Sequence, residues 1–442
     1  MKSHRVHAEL PGPKARALIE RDARVVAPCS PRDYPFVMSH GVGAEVWDVD
    51  GNCFIDFMSG IAVCSTGHSH PDVVAAIRAA AGEFLHISAD YWHERQVRLA
   101  EFMDRIAPVG EPAMTFFCNS GTEAVEGALK IARKVTGRPR FIGFLGGFHG
   151  RSMGSLAFTS SKYTQQAGFF PTMPGVTHVP FPNDYRPLFA GADQGQAVLD
   201  YMEQLFRHNV PAKEVAAILV EPIQGEGGYL VPPDSFLPGL RALCDRHGIL
   251  LIADEVQSGA GRTGRWFACE HWDVRPDIVT LAKGVGSGMP IGLIVGRRKL
   301  LEQLRAGSHG NTFGGNPVCC AAALKTLELI EGQFLENARL MGDYLQRGLI
   351  AMQQEFPCIG AVRGRGLMVG MELVVDRNSR APAPDLCTAL VRSGWRHGLL
   401  LLSCGVSTIR FMPPLCVTPA LVDEALHILR TVLQEVSSAG KG

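Results

Sequence analysis

Short apolar runs alternate with helical patterns through the middle of the chain. Five of these runs contain almost no polar residues: Met114–Cys118, Phe141–Leu145, Ala216–Val220, Ile249–Ala253 and Ile278–Ala282. Runs without a polar face suit strands that are buried on both sides, as in a parallel sheet covered by helices. The pattern therefore predicts an α/β fold with a large domain built on a mostly parallel central sheet.

The two ends of the chain follow another pattern. Apolar residues alternate on both sides of Asp50-Gly51, which predicts a hairpin with a tight turn. Towards the C-terminus, strand patterns over Gly366–Val375 and Thr408–Pro414 precede an amphipathic helix over Leu421–Val436. The shift in pattern indicates that the ends do not belong to the central sheet.

The length and apolar content allow more than one core, since 46% of the 442 residues are apolar. We expect a large α/β domain over residues 68–325. A small α+β domain would combine an N-terminal segment, residues 1–67, with a C-terminal segment, residues 326–442.

Composition argues against several classes of function. Charged residues make up 19% of the chain and the formal net charge is zero, so no nucleic-acid partner is expected. Apolar runs are too short for a membrane span and the N-terminus has no signal segment, so we expect no membrane association. The 12 cysteines include no C-x-x-C pair, which favours reduced thiols in a cytoplasmic protein.

Each of the five apolar runs ends in polar or glycine residues. These are Asn119-Ser120-Gly121-Thr122, Gly146-Gly147-Phe148-His149, Glu221, Asp254-Glu255 and Lys283. Ligands of open parallel sheets bind at the carboxyl ends of the strands. We therefore expect one cleft that holds an amine, carboxylates, an aromatic ring and an anion-binding loop.

The first of these strand ends has the pattern of a helix N-terminus that can bind an anion. Ser120 and Glu123 have the spacing of a capping box, and Gly137 is placed to end the helix. The start of such a helix offers free N–H groups and a positive dipole end, with the Ser120 and Thr122 hydroxyls nearby. By itself the motif is equally consistent with a capped helix that binds nothing.

Lys283 and Asp254 are unusual residues for the ends of buried strands. A buried lysine must lower its pKa or bond covalently, and a Schiff base with an aldehyde does both. A buried carboxylate needs a cation, for which a protonated pyridine nitrogen would serve. The alternatives are a lysine that reaches solvent through the Gly284–Gly288 loop and a structural salt bridge for Asp254.

These residues lie within longer motifs along nearly the whole chain, from about Pro35 to Leu429. The motifs are GIAVCSTGHSHP (60–71), NSGTEA (119–124), GGFHGR (146–151), EPIQGEGG (221–228), LLIADEVQSGAGRTG (250–264), LAKG (281–284), NTFGGNP (311–317) and TIRFMPPL (408–415). The chain resembles the class-III pyridoxal-phosphate aminotransferases of fold type I, which include 4-aminobutyrate, ornithine and acetylornithine aminotransferases. The resemblance implies that fold type and pyridoxal 5′-phosphate as the cofactor.

The resemblance assigns the cofactor contacts. Lys283 matches the lysine that carries the cofactor as an aldimine and moves the proton, and Asp254 matches the partner of the pyridine nitrogen. Thr312 matches a threonine that reaches the cofactor phosphate of the neighbouring subunit, which implies a homodimer with shared sites. The other expected cofactor-binding residues are Ser120, Gly121, Thr122, Phe148 as the stacking ring, His149, Glu221, Val256 and Gln257 near the ring hydroxyl.

The resemblance also assigns a substrate pocket. Arg410 matches the arginine that binds an α-carboxylate, and Glu226 matches the glutamate that pairs with it when the substrate has none there. Arg151 matches a second carboxylate-binding arginine, and Ile61 matches a pocket-lining residue. Arginine grips carboxylates bidentately, so two arginines suit amino-acid and keto-acid substrates. For each arginine, an ordinary ion pair is the alternative.

The expected reaction is transfer of an amino group from an amino acid, such as the ω-amino acid 4-aminobutyrate, to 2-oxoglutarate. The same branch of the family contains amino-acid racemases, and racemisation remains the alternative.

Other classes of protein are less consistent with the sequence. A G-x-S-x-G sequence around Ser152 suggests a hydrolase nucleophile, but we expect no helix after it. His68 and His70 are more typical of a turn before a helix than of a metal site. A non-catalytic binding protein is disfavoured by Lys283 and Asp254.

Overall fold

The computed structural model describes residues 6, 7, 9–191 and 193–439. The strands are β1 (Met38–Val42), β2 (Glu45–Asp48), β3 (Cys53–Asp56), β4 (Ala113–Cys118), β5 (Arg140–Phe144), β6 (Val176–Val179), β7 (Val215–Val220), β8 (Leu250–Asp254), β9 (Ile278–Leu281), β10 (Gly292–Arg297), β11 (Ile359–Arg365), β12 (Met368–Leu373), β13 (Leu399–Leu400), β14 (Leu402–Cys404) and β15 (Thr408–Phe411). The helices are α1 (Pro13–Val25), α2 (Ser59–Ala62), α3 (Pro71–Glu83), α4 (Glu94–Ile106), α5 (Gly121–Thr136), α6 (Met153–Leu156), α7 (Gln194–His208), α8 (Phe236–His247), α9 (Arg298–Leu301), α10 (Pro317–Leu329), α11 (Leu335–Glu355), α12 (Pro384–Arg396) and α13 (Pro419–Ala439).

A seven-stranded sheet in the order β4-β10-β9-β8-β7-β5-β6 forms the centre of the molecule. Strand β10 is antiparallel to both of its neighbours, and the strands from β9 to β6 are parallel. Every residue of β7 and β9 is buried, because helices cover both faces. The predicted α/β fold with a mostly parallel sheet is confirmed.

The sequence analysis missed strand β10, the one reversed strand of the central sheet. Gly292 and Gly296 interrupt its apolar pattern, and a steric constraint explains why a glycine occupies position 292. A Cβ atom on Gly292 would lie 2.4 Å from the Ser120 carbonyl oxygen, so only glycine lets β10 pass behind the loop before α5.

Two smaller sheets flank the centre. The first has the order β1-β2-β3-β13, and β13, from the C-terminal part of the chain, runs parallel to β3. The predicted hairpin is present, since β2 and β3 pair antiparallel across the turn at Asp50-Gly51. The second sheet, β11-β12-β15-β14, is antiparallel throughout. The domain boundaries at residues 67/68 and 325/326 stay predictions.

Across the described residues, every helix is too short or too polar to cross a lipid bilayer.

Candidate active site

The ends of the parallel strands meet at one edge of the central sheet. The His149 Nδ1 atom lies 2.7 Å from the Asp254 Oδ2 atom, which links the end of β5 to the end of β8. The Phe148 N–H group donates to Glu221 Oε2 at 3.0 Å, which links β5 to β7. Lys283 follows β9, and the charges of both carboxylates act on it. The structure brings these strand ends together in one cleft, as the sequence predicts.

Lys283 is half-buried and begins a single helical turn, Lys283–Val285. Burial lowers the pKa of its amine below the usual value, although Asp254, Glu221 and Glu226 attract the charged form. These carboxylates act at a distance, without a hydrogen bond to the amine. The environment therefore favours the neutral, nucleophilic form of the amine.

Asp254 is 4% exposed and both of its carboxylate oxygens are engaged. Oδ2 contacts His149, while Oδ1 accepts hydrogen bonds from the Thr280 hydroxyl and the Val256 N–H, each at 3.1 Å. Thr280 was missed by the sequence analysis, although a threonine inside a fully buried strand was an available signal. These three contacts leave one of the roughly four lone-pair sites of a carboxylate free for a further donor.

Burial and neighbouring charges shift the pKa values of His149 and Glu221, two titratable side chains next to Asp254. Burial opposes the charged form of His149, but the hydrogen bond and charge of Asp254 outweigh it and raise the pKa of the imidazole. Burial raises the pKa of Glu221 to about 7, although His149 and the N–H groups of Gly225 and Phe148 favour its charged form. These shifts favour the charged form of His149 and the neutral form of Glu221, and Asp254 is the carboxylate that His149 contacts.

Helix α5 begins at the same edge. The Ser120 hydroxyl accepts the Glu123 N–H at 3.3 Å, but the Glu123 carboxylate reaches the Asn119 N–H at 2.9 Å and not that of Ser120. The expected capping box is therefore only half formed. The Thr122 hydroxyl lies within 2.7 Å of two serine hydroxyls, so the backbone N–H groups of Gly121 and Thr122 are the principal free donors.

The residues of the cleft suit each part of the group that the resemblance implies. A lysine amine with a lowered pKa suits an aldehyde, a buried carboxylate suits a protonated ring nitrogen, and a helix N-terminus suits a phosphate. A Cβ on Gly121 would lie 2.9 Å from Val256 Cγ1, so a side chain at the start of α5 would collide with Val256. The residues present fit pyridoxal 5′-phosphate.

Gln257 and Phe148 border the same cleft. Gln257 is nearly buried, and its Oε1 atom accepts a hydrogen bond of 2.8 Å from Tyr229, whose hydroxyl also contacts Met412 Sδ. Tyr229 fixes the orientation of the Gln257 amide, a role that the sequence analysis did not find. Phe148 is half-buried, and the exposed Arg151 guanidinium lies 5.9 Å from its ring centroid.

Arg410 is the buried cation of the cleft. It lies on β15, is 4% exposed and forms an ion pair with Glu226 through Nη1. Burial opposes its charge, but Glu226 outweighs this effect and raises the pKa of Arg410 further. Its Nε atom has no hydrogen-bond partner among the described residues. A buried guanidinium with an unused donor can accept a further carboxylate.

Ile61 lies in the one-turn helix α2, which packs on the turn of Lys283. Both Gly60 and Ile61 have left-handed backbone angles, with φ of 64° and 66°. A β-branched residue rarely adopts this conformation, so the surrounding contacts must hold it. A Cβ on Gly284 would lie 2.6 Å from Ser65 Oγ, which shows how closely the two turns pack.

Thr312 is exposed, on the segment that precedes α10. Its neighbour Asn311 accepts a hydrogen bond of 3.3 Å from the Asn119 side chain, so the segment lies beside the loop before α5. The side chain of Thr312 itself faces solvent in the single chain.

The alternative sites do not form. A short helix, α6, does follow Ser152, so the expectation that none would is wrong. The Ser152 hydroxyl, however, donates to Glu126 Oε1 at 2.6 Å instead of to a histidine. His70 caps α3 by accepting the Asp72 N–H, as the turn interpretation predicts, and the described residues contain no cluster that could hold a metal.

Fold and site together define a fold-type-I pyridoxal-phosphate enzyme. Residues 28–433 match the sequence model of the family described as aminotransferase class-III. The chain therefore belongs to the class-III aminotransferase family and is a pyridoxal-phosphate-dependent aminotransferase.

Relatives named as a racemase and as aminotransferases match nearly the whole chain. An alanine/serine racemase from Pyrococcus horikoshii is 38% identical and covers 98% of this chain and 94% of its own. A 5-aminovalerate aminotransferase from Pseudomonas aeruginosa is 39% identical over 91% of this chain and 95% of its own. The crystal structure of an ω-transaminase from Pseudomonas jessenii in complex with PMP superimposes with a TM-score of 0.89, at 29% identity, over 95% of this chain and 98% of that one.

Proposed function

We propose that the protein transfers the amino group of an ω-amino acid, such as 4-aminobutyrate, to 2-oxoglutarate. The ion pair between Glu226 and Arg410 carries this proposal. While it is closed, Arg410 is neutralised, which favours a donor without a carboxylate on the amine-bearing carbon. The exposed Arg151 is available for the remote carboxylate of such a donor. Relatives named 5-aminovalerate and 4-aminobutyrate aminotransferases support this choice.

The site residues have distinct tasks in this reaction. Bound pyridoxal phosphate supplies the aldehyde and the electron-withdrawing ring. Lys283 would hold the aldehyde through its amine and would act as the base for the proton of the amine-bearing carbon. Asp254, held by His149, would pair with the ring nitrogen. Phe148 and Gln257 would border the ring, and the N-terminus of α5 would bind the phosphate.

A single-turnover experiment tests the proposal. We expect 4-aminobutyrate or 5-aminovalerate, added alone to the holoenzyme, to convert the visible absorbance to that of the pyridoxamine form. Addition of 2-oxoglutarate should then restore the original spectrum and yield glutamate. Failure of every ω-amino acid to produce the pyridoxamine form, together with rapid reaction of an α-amino acid, would contradict the proposed donor class.

Racemisation is the second candidate, because relatives named alanine/serine racemase and isoleucine 2-epimerase are 38% and 36% identical to the chain. A racemase returns the proton to the same carbon and leaves the cofactor in its original form. The same samples therefore distinguish the two reactions. Loss of optical rotation from an L-amino acid with an unchanged cofactor spectrum would support the racemase.

We also propose a cytoplasmic homodimer with shared sites. Exposed apolar side chains cluster near Thr312: Trp92, Leu85 and Phe313 are 91%, 73% and 61% exposed. The segments that carry them pack together, since the Asn316 side chain donates to the Leu85 carbonyl at 2.8 Å. A partner that covers this surface would bring its cofactor phosphate to Thr312. The 12 free cysteines suit a reducing compartment.

Introducing a charge into this surface should separate the subunits. We expect the Leu85→Asp variant to sediment as a monomer at micromolar concentration, because a carboxylate in an apolar interface loses its hydration. Leu188, which is 70% exposed beside Gln194, provides the matched control. Leu188→Asp should sediment as the wild-type dimer, and equal behaviour of the two variants would contradict this interface.

A further inference from the structure

Glu226 faces two cations. Its Oε1 atom pairs with Arg410, and its Oε2 atom lies 4.0 Å from the Nζ atom of Lys162. Among the described residues, these are the two cationic side chains within ion-pair distance of Glu226. Lys162 precedes the short turn Tyr163–Gln165, and no other carboxylate of the described part of the chain lies at such a distance from it. Lys162 lies outside every motif that the sequence analysis selected.

The backbone of Glu226 is fixed relative to Arg410. The Gly405 N–H donates to the Glu226 carbonyl at 2.8 Å, and Gly405 lies in the turn between β14 and β15, which carries Arg410. Burial raises the pKa of the buried Cys404 thiol next to this turn, and the charges of Arg410, Glu226 and Lys162 also act on it. Arg410, Glu226 and Lys162 therefore form one charged cluster, in which a backbone hydrogen bond ties Glu226 to the turn before β15.

A substrate carboxylate that takes the Nη1 group of Arg410 must displace Glu226 from it. In the ion pair the Glu226 side chain is only 14% exposed, and a partly buried carboxylate without a cation is costly. Lys162 lies within ion-pair distance of the Glu226 Oε2 atom and is 44% exposed, so it can follow the carboxylate when Glu226 leaves Arg410. Among the described residues, Arg151 forms no ion pair with Glu226.

We propose that Lys162 is a positioning residue that holds Glu226 away from Arg410 while a substrate carboxylate occupies Arg410. This inference rests on the proposed function, in which the donor and 2-oxoglutarate need opposite states of Glu226. Lys162 thereby favours the half-reaction with the keto acid and does not contribute to the half-reaction with an ω-amino acid.

The two half-reactions of the holoenzyme, followed separately by stopped-flow absorbance, test the proposal. We expect Lys162→Gln to weaken the apparent affinity for 2-oxoglutarate about two- to fivefold, the range of a solvent-exposed ion pair. Its apparent affinity for 4-aminobutyrate and both maximal rates should stay within about twofold of wild type. The conservative variant Lys162→Arg should restore the affinity for 2-oxoglutarate.

A double-mutant cycle separates this role from a structural one. In a Glu226→Gln background, Lys162→Gln should have no further effect on 2-oxoglutarate, because the carboxylate that Lys162 holds is gone. An undiminished effect in that background, equal losses in both half-reactions, or no loss in either would overturn the proposal. If the wild-type pyridoxamine form rejects 2-oxoglutarate but accepts another keto acid, the proposed acceptor is wrong, and the same cycle with that keto acid still decides the role of Lys162.

Discussion

Replacement of Lys283 by alanine should lower kcat/KM by about four orders of magnitude or more. In the proposed reaction Lys283 is both the attachment point of the cofactor and the base that moves the proton, and a positioned base alone contributes up to about four orders of magnitude. The charged groups that act on its half-buried amine are the carboxylates of Asp254, Glu221 and Glu226 and the Arg410 guanidinium, none of which forms a Schiff base. The measurement is a steady-state assay with the donor that the single-turnover experiment identifies.

Two further variants make this prediction specific. Lys283→Arg should be equally inactive, because a guanidinium stays protonated and neither attacks an aldehyde nor accepts a proton at neutral pH. A small primary amine added to Lys283→Ala should restore part of the activity, since it supplies a free base to the vacated space. Activity of Lys283→Ala above about one hundredth of wild type, without added amine, would show that another group moves the proton.

The central sheet could be predicted from the sequence because its strands are unusual. Apolar runs such as Val215–Val220 have no polar face, and a strand buried on both sides is the structure that requires this. Parallel strands then place their carboxyl ends together, so the approach of His149 to Asp254 followed from topology. Strand β10 was not predicted. Its Gly292 allows the strand to pass close to Ser120, and no local sequence pattern indicates such a contact.

Contacts between distant segments could not be predicted in this way. Lys162 and Glu226 are far apart in the sequence, and an exposed lysine before a turn has no distinguishing pattern. The hydrogen bond from Tyr229 to Gln257 could not be predicted either, because a buried tyrosine usually belongs to the hydrophobic core. The motifs identified the residues that we propose to contact the cofactor, and the fold was needed to find the residues that orient them.

Two adjacent buried carboxylates, Asp254 and Glu255, provide the sharpest test of the cofactor site. Asp254 faces the cleft, whereas Glu255 is turned into the core, where it accepts hydrogen bonds from the Ser258 hydroxyl and the Cys269 N–H. We expect Asp254→Asn to lower kcat by about three orders of magnitude, because an amide cannot stabilise a proton on the ring nitrogen. The loss should appear in kcat with little change in KM, since Asp254 acts on the cofactor ring and not on the substrate.

Glu255→Gln is the matched control, because it removes a neighbouring buried carboxylate that does not face the cofactor. Burial raises the pKa of Glu255, and a glutamine amide oxygen could still accept the Cys269 N–H, so the amide should be tolerated. Its kcat should stay within about threefold of wild type, even if its melting temperature falls. Similar losses of kcat in both variants would show that the effect is not specific to the carboxylate that faces the cleft, and would contradict the role of Asp254. A large loss confined to Asp254→Asn, with the visible cofactor absorbance altered in that variant only, is the result that the geometry requires.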